Sequence, residues 1–258
     1  MSRRYLYAIT DRPEAPLPVI PAIAKGIVEN GPEGPPPTSL AYRDIAAVIS
    51  PLTVSEVPAT EANLWRHEAV VESLMADRTV LPVRFGTVLA DETAVRSFLA
   101  ARYAGFVAGL QRVRGRVELG LRVLWEIADS EWQMADRNHQ PSAIGHQPSA
   151  ISGREYLLAR LEEEHRTQAQ RQRAEALAAA LHAPLSRLAA ENIQQVLVTP
   201  SLLLKAAYLV ERGRVTSFQQ ETEALSAAYP SLHFVCTGPW PAYSFVTAVM
   251  QESNDGGL

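Results

Sequence analysis

The pair His67-Glu68 is the most chemically suggestive point in the chain, because histidine followed by glutamate begins the HExxH pattern of zinc proteases. That pattern needs a second histidine one helical turn later to complete the metal site. The position here is Val71, which cannot ligate a metal. His67 also shares a spacing of i, i+3, i+4, i+7 with Leu64, Val71, Leu74 and Met75, so it reads as a hydrogen-bonded structural histidine on an apolar helix face. Arg84, between Val83 and Phe85, offers a guanidinium to an anion or a carboxylate partner. An isolated arginine in a strand reads first as half of a structural ion pair with a neighbouring glutamate. Glu118 and Glu126 lie on one strand face, but too far apart and too readily solvated for a catalytic carboxylate pair.

His139 and His146 begin the two copies of a direct repeat, HQPSAIG then HQPSAIS, that runs to Ser152. The unit is too short to build a solenoid and has no acidic or thiol ligands beside it, so it reads as duplicated linker and not as a metal tract. GxGxxG, Walker, GxSxG and CxxC motifs are all absent. No catalytic residue, cofactor site or metal site is expected.

The elements that must position these residues can be read in order. Tyr5 to Ile9 is apolar at every position, as in a strand covered on both faces. Residues 13–37 are crowded with proline and glycine and read as loop, with a short strand near Ile23 to Val28. Ala41 to Ser50 reads as one strand stopped by Pro51. A helix follows from Glu61 to Ala76, with Thr60 as N-cap. Next comes an interrupted strand around Leu81, which Pro82 and Gly86 mark as an edge or bulged one. A second helix starts at Asp91 and ends at Gly115, with Val95, Phe98, Leu99, Phe106, Leu110 and Val113 as its stripe. Val117 to Trp125 then alternates as a half-buried strand.

Helices returning to one sheet suggest an α/β sandwich of the ferredoxin-like kind over residues 1–130. Residues 131–152 read as linker, and limited proteolysis should cut between Asn138 and Ser152. Residues 153–258 read as a smaller α+β domain. It opens on a capping box, Ser152 to Glu155, and a long helix that is polar nearly all round from Glu162 to Arg173 and ends or bends at Pro184. Strands at Gln195–Val198 and Leu202–Val210, a helix from Thr216 to Tyr229 and a strand from Leu232 to Cys236 complete it. The ending GPWPAYSF sets Trp240, Tyr243 and Phe245 among prolines. Aromatics this dense either pin the last strand to a core, the reading we favour, or form a partner's hot spot.

Composition bounds the possibilities. With 258 residues, 47% of them hydrophobic, the chain exceeds the usual size of one core and is far too apolar for disorder. A net charge of −4 gives no argument for nucleic acid. Cys236 is the one cysteine, which points to a reducing, cytoplasmic setting. No apolar run is long enough for a membrane span.

Five stretches in the first half, RRYLYAI, AAVIS, HEAVVE, VLPVRFGTVL and GRVELGLRVLWE, together with LKAAYLVERGRVTSF and GPWPAYSF in the second, resemble the gas vesicle protein F/L family in the right order and over nearly the whole chain. Ala242 stands where the family often has a second proline, and the linker repeat is peculiar to this chain. The resemblance implies two α/β domains and a non-enzymatic accessory or minor structural protein. Its expected partners are the small, very hydrophobic gas vesicle shell protein and other gas vesicle accessory proteins. An aggregation-prone β-rich partner needs its edges and apolar face covered, a chaperone-like task for an α/β protein with an edge strand. Arg84, Phe85, Trp240, Tyr243 and Phe245 are the residues we would expect at such a contact. The alternative is an enzyme on a ferredoxin-like scaffold whose site lies outside known motifs.

Overall fold

The computed structural model describes residues 3–11, 16–17, 36–125, 153–196 and 202–246. The Ile23–Val28 strand, the 131–152 linker with its repeat, and the Ser152 cap lie outside these. The first sheet is laid around β1 (Arg3–Thr10), which is fully buried from Tyr5 to Thr10. It is flanked on one side by β3 (Ile45–Leu52), itself paired with β2 (Thr38–Tyr42). On the other side it meets β4 (Val80–Pro82) and β5 (Val88–Leu89), and every pairing is antiparallel.

The register of β1 against β3 shifts between Leu6 and Ala8, leaving Tyr7 as an extra residue. Such a bulge changes the parity of the strand. Tyr5, Tyr7 and Ala8 therefore all join Val48, Leu52 and Val80 in one cluster, together with Val70, Val71 and Leu74 of helix α1 (Glu61–Leu74). Ile9 pairs with Leu81 on the opposite face, where Gly109 of α3 (Tyr103–Val113) allows the Leu81 side chain to approach; a Cβ at that glycine would meet it at 3.1 Å.

The caps at Thr60 and Asp91 form as expected: Thr60 accepts from the Asn63 amide, and Asp91 from the Ala94 amide that opens α2 (Glu92–Ala101). Other expectations are corrected. The single strand at 41–50 is a hairpin whose turn at Arg43-Asp44 carries Arg43 at φ 55°. Pro51 does not stop β3, because β2 has already ended where Thr38 meets Ile49 and, among the described residues, no strand lies opposite Pro51 on that side. The second helix is two helices hinged at Arg102, although the buried stripe of Val95, Leu99, Phe106, Leu110 and Val113 runs through both. In α1 the buried face holds Asn63 and Val70, while Leu64 turns outward with 46% exposure. Gly115 does end α3, at φ +69°.

Strand β6 (Arg116–Trp125) does not join the first sheet. It lies in a four-stranded sheet of order β7-β8-β6-β9 with β7 (Ala189–Val196), β8 (Leu202–Glu211) and β9 (Leu232–Trp240). The chain groups into two compact units that interleave in sequence: Met1–Leu119, Leu209–Arg212 and Gly238–Leu258 in one, Gly120–Tyr208 and Gly213–Thr237 in the other. In the second unit the long helix α4 (Gly153–Ser186) ends just after Pro184 and buries Ala174, Ala178, Leu181 and Leu185. Its upstream positions 160, 161, 164, 165, 168 and 169 are exposed, as the polar pattern predicts. Helix α5 (Val215–Ala228) buries Phe218 and Thr222, and Phe218 packs on Tyr208 at 4.9 Å between ring centres. Strand β7 starts six residues before its expected position, since AAENIQQV is largely exposed and shows no apolar alternation.

Candidate functional site

Helix α1 delivers His67 into the aromatic cluster of β1, where it is 3% exposed. Its Nε2 lies 3.1 Å from the Val83 carbonyl, which can only accept, so Nε2 carries the proton. Nδ1 then accepts from the Tyr5 hydroxyl at 2.9 Å, and that hydroxyl in turn accepts the Gly86 N–H at 3.1 Å. The imidazole stacks on Tyr7, with centroids 5.7 Å apart, and Phe85 meets the rings of both His67 and Tyr5 edge-on. The chain of bonds from Gly86 through Tyr5 and His67 to Val83 closes over one object, the loop that interrupts the β4–β5 edge.

That loop is the interruption signalled by Pro82 and Gly86. Val83 N–H still reaches Tyr7 O and Leu6 N–H still reaches Thr87 O, so the ladder resumes on either side. Between them the Thr87 amide and hydroxyl both donate to the Arg84 carbonyl, and Gly86 sits at φ +86°, a conformation glycine adopts without strain. Arg84 is exposed, and among the described residues no carboxylate pairs with it. Phe85 is half-buried against the His67–Tyr5 network.

Burial pushes the His67 pKa from the ordinary 6.5 down to about 4, the Val83 hydrogen bond opposing it only in part. The histidine is therefore a neutral peg, not a base open to substrate. A lowered histidine pKa favours the fold above the unfolded value and loses that contribution as pH falls through the folded one. Between pH 6.5 and pH 4 the folded state should thus lose up to about 3 kcal/mol through this residue. Glu68 works in the opposite sense: burial raises its pKa, so its contribution is present at low pH and fades as pH rises through the folded value. The difference in stability between wild type and His67→Gln, measured by urea unfolding at pH 7 and pH 4.5, isolates the histidine. The gap should narrow at the lower pH; a constant gap would mean that His67 is not buried neutral.

The aromatic tail is built into the same unit. Tyr243 donates to Glu68 Oε2 at 2.8 Å, the Ser244 amide and hydroxyl donate to Glu118 at 2.8 and 2.6 Å, and Arg112 Nη1 donates to the Phe245 carbonyl at 2.8 Å. Phe245 is 3% exposed, Tyr243 is half-buried and Trp240 is 36% exposed. Gly238 leads into this tail at φ +112°, and a Cβ there would meet the Glu118 carbonyl at 2.7 Å, so only glycine fits. Glu118, expected to be a solvated strand residue, is instead half-buried, and burial raises its pKa against the Ser244 bonds. Glu68 and Glu118 were not legible as anchors, because their partners lie 175 and 126 residues away. Asn63 was missed for a local reason: its amide is satisfied by the Pro58 carbonyl at 3.1 Å, which lets a polar residue face inward.

The structure thus gathers Arg84 and Phe85 in one loop and ties Tyr243 and Phe245 into the same unit, Tyr243 through Glu68, the sequence neighbour of His67. Among the described residues no three metal-ligating side chains cluster, and no helix is long and apolar enough to cross a membrane.

The sequence matches the family described as "Gas vesicle synthesis protein GvpL/GvpF" over residues 3–247. It is 33% identical to gas vesicle protein L of Streptomyces sp. (strain CB03234) across 98% of this chain and 96% of the relative. Against gas vesicle protein F2 of Halobacterium salinarum it is 23% identical across 85% of each. Its fold superposes on the crystal structure of GvpF from Anabaena sp. PCC7120 with a TM-score of 0.72, at 24% identity over 95% of this chain and 96% of that one. The corresponding TM-score for GvpF from Microcystis aeruginosa is 0.69, at 21% identity over 95% and 98%. These likenesses establish the mixed α/β architecture of antiparallel strands and helices.

Proposed function

The chain belongs to the GvpL/GvpF family of gas vesicle proteins, and from that premise we propose that it works without catalysis, holding the hydrophobic shell protein during gas vesicle assembly at the open edge of its first sheet. The observation that carries this reading is the Arg84–Thr87 loop: an exposed arginine and a half-buried phenylalanine, set on an edge strand by a buried hydrogen-bond chain. Strand β4 has β1 as its partner and is, among the described residues, the last strand of the sheet on that side. Such an edge offers backbone groups to a β-rich partner, and a fixed aromatic beside it offers an anchor. Leu64 stands one helical turn before His67 and adds apolar surface with Trp65, which is 61% exposed. On this reading the protein acts in the cytoplasm, at the growing vesicle, with other accessory proteins as further partners.

Co-expression of the tagged chain with the shell protein tests the proposal. The two should co-purify in fixed ratio, and the double variant Arg84→Glu, Phe85→Ala should lose the shell protein while eluting as a folded protein. Retention of the shell protein at the wild-type ratio by that variant would remove the loop from the account.

A further inference from the structure

A second site lies elsewhere on the first unit, in a cleft of about 600 Å³ that the functional reading above does not use. Its lining includes four arginines, Arg78, Arg114, Arg116 and Arg212, against two carboxylates, Asp11 and Asp77. This positive excess sits in a chain whose net charge is −4. Two of the guanidinium groups, those of Arg78 and Arg212, are held by hydrogen bonds to neighbours that line the cleft or border it, and a third, that of Arg114, makes an exposed ion pair. Arg78 forks onto Asp77 at 2.8 and 2.9 Å and donates to the Pro16 carbonyl, Arg114 pairs with Asp11 at 3.4 Å, and Arg212 donates to the Met75 carbonyl at 2.7 Å.

Part of this has a structural purpose, since Arg212 satisfies a carbonyl at the C-terminal end of α1. Arg78 has more donors than the fold uses. Its side chain is completely buried, yet Nη1 has no hydrogen-bond acceptor among the described residues. A buried guanidinium nitrogen left without an acceptor is costly unless something supplies one. Fixed guanidinium forks match carboxylates and phosphates in geometry, and pre-fixing them lowers the entropy lost on binding.

We propose that this cleft binds an acidic segment of a partner protein, through carboxylates that meet Arg78, Arg114 and Arg212. The choice of a peptide over a free anion follows from the rest of the lining. Met75, half-buried, and Ala76, exposed, present apolar surface in the same lining as the charges. An isolated phosphate would leave that surface wet, whereas a segment alternating acidic and apolar side chains covers both. The proposal rests on none of the residues of the β4–β5 loop and stands apart from the shell-protein reading.

The test uses the full chain and a fluorescein-labelled hexapeptide of alternating glutamate and leucine, followed by anisotropy. Saturable binding that weakens with added salt is expected. Arg114 is 64% exposed at the rim, so Arg114→Glu can be made without disturbing the core, and it should weaken binding at least tenfold. Asp11→Asn keeps an oxygen for the Thr79 amide but removes the competing charge, and should tighten binding severalfold. Arg122→Glu makes the same charge change at an exposed position of the second unit and should leave affinity within twofold. Equal losses for the variants at 114 and 122, or no binding by wild type, would overturn the proposal. Displacement of the peptide by inorganic phosphate at equal concentration would overturn the peptide in favour of a free anion.

Discussion

His67→Ala should lower the unfolding free energy by about 3 kcal/mol, with most of the loss local to the β4–β5 edge. The substitution removes a ring packed on Tyr5, Tyr7 and Phe85 and leaves a cavity beneath the loop. Large-to-small changes at such positions cost about 2–5 kcal/mol. It also strips the Val83 carbonyl of its donor and the Tyr5 hydroxyl of its acceptor, each worth about 1–3 kcal/mol when left buried. Relaxation of the exposed loop recovers part of the sum, which is why the net figure is placed near the middle of these ranges. Urea unfolding reads the total. Hydrogen exchange at the Gly86 amide, bonded to Tyr5, reads the local part and should accelerate more than exchange in β3. A loss below about 0.5 kcal/mol would show that the ring is not the peg that sets the loop.

Phe245→Ala is expected to cost about 3–4 kcal/mol in the absence of any partner, within the range for a buried phenylalanine. The ring is buried, Arg112 lies 5.9 Å over it and donates to its carbonyl, and the two preceding residues are held by Glu68 and Glu118. Trp240→Ala, at a position 36% exposed, should cost well under half as much. Removal of residues 241–258 takes away the Phe245 ring together with the Tyr243 and Ser244 bonds and should lower the melting temperature of the isolated protein by several degrees. If the truncated chain melts like the full-length one, the tail contacts contribute nothing to stability and the aromatic ending is free to serve a partner.

Much of this was legible in residue types. Thr60 and Asp91 are capping residues in front of helical periodicity, and both cap. The unbroken apolar run at Tyr5 to Ile9 announced a strand covered on both faces, and Val71 in place of a second histidine marked His67 as structural. Pro82 and Gly86 announced an interrupted edge. What escaped depends on partners remote in sequence or on local exceptions. The bulge at Tyr7 follows from pairing with β3, and no property of Tyr7 itself signals it. The Arg43-Asp44 turn has neither glycine nor asparagine where φ is positive. Strand β7 is exposed along most of its length and carries no alternation to read. The arginines of the cleft stand at 78, 114, 116 and 212, so their convergence is invisible in a sequence of net negative charge.

The central claim is that the loop held by Tyr5 and His67 is the surface that holds the shell protein. Its most direct test dilutes denatured shell protein into buffer and follows aggregation by light scattering, with the chain present at equal molar amount. Wild type should suppress the scattering, and Arg84→Glu, Phe85→Ala should not, although its far-UV spectrum matches wild type and its urea midpoint, lowered by the lost Phe85 packing, still leaves it folded in the assay buffer. Equal suppression by the two proteins, or none by wild type, would contradict the account.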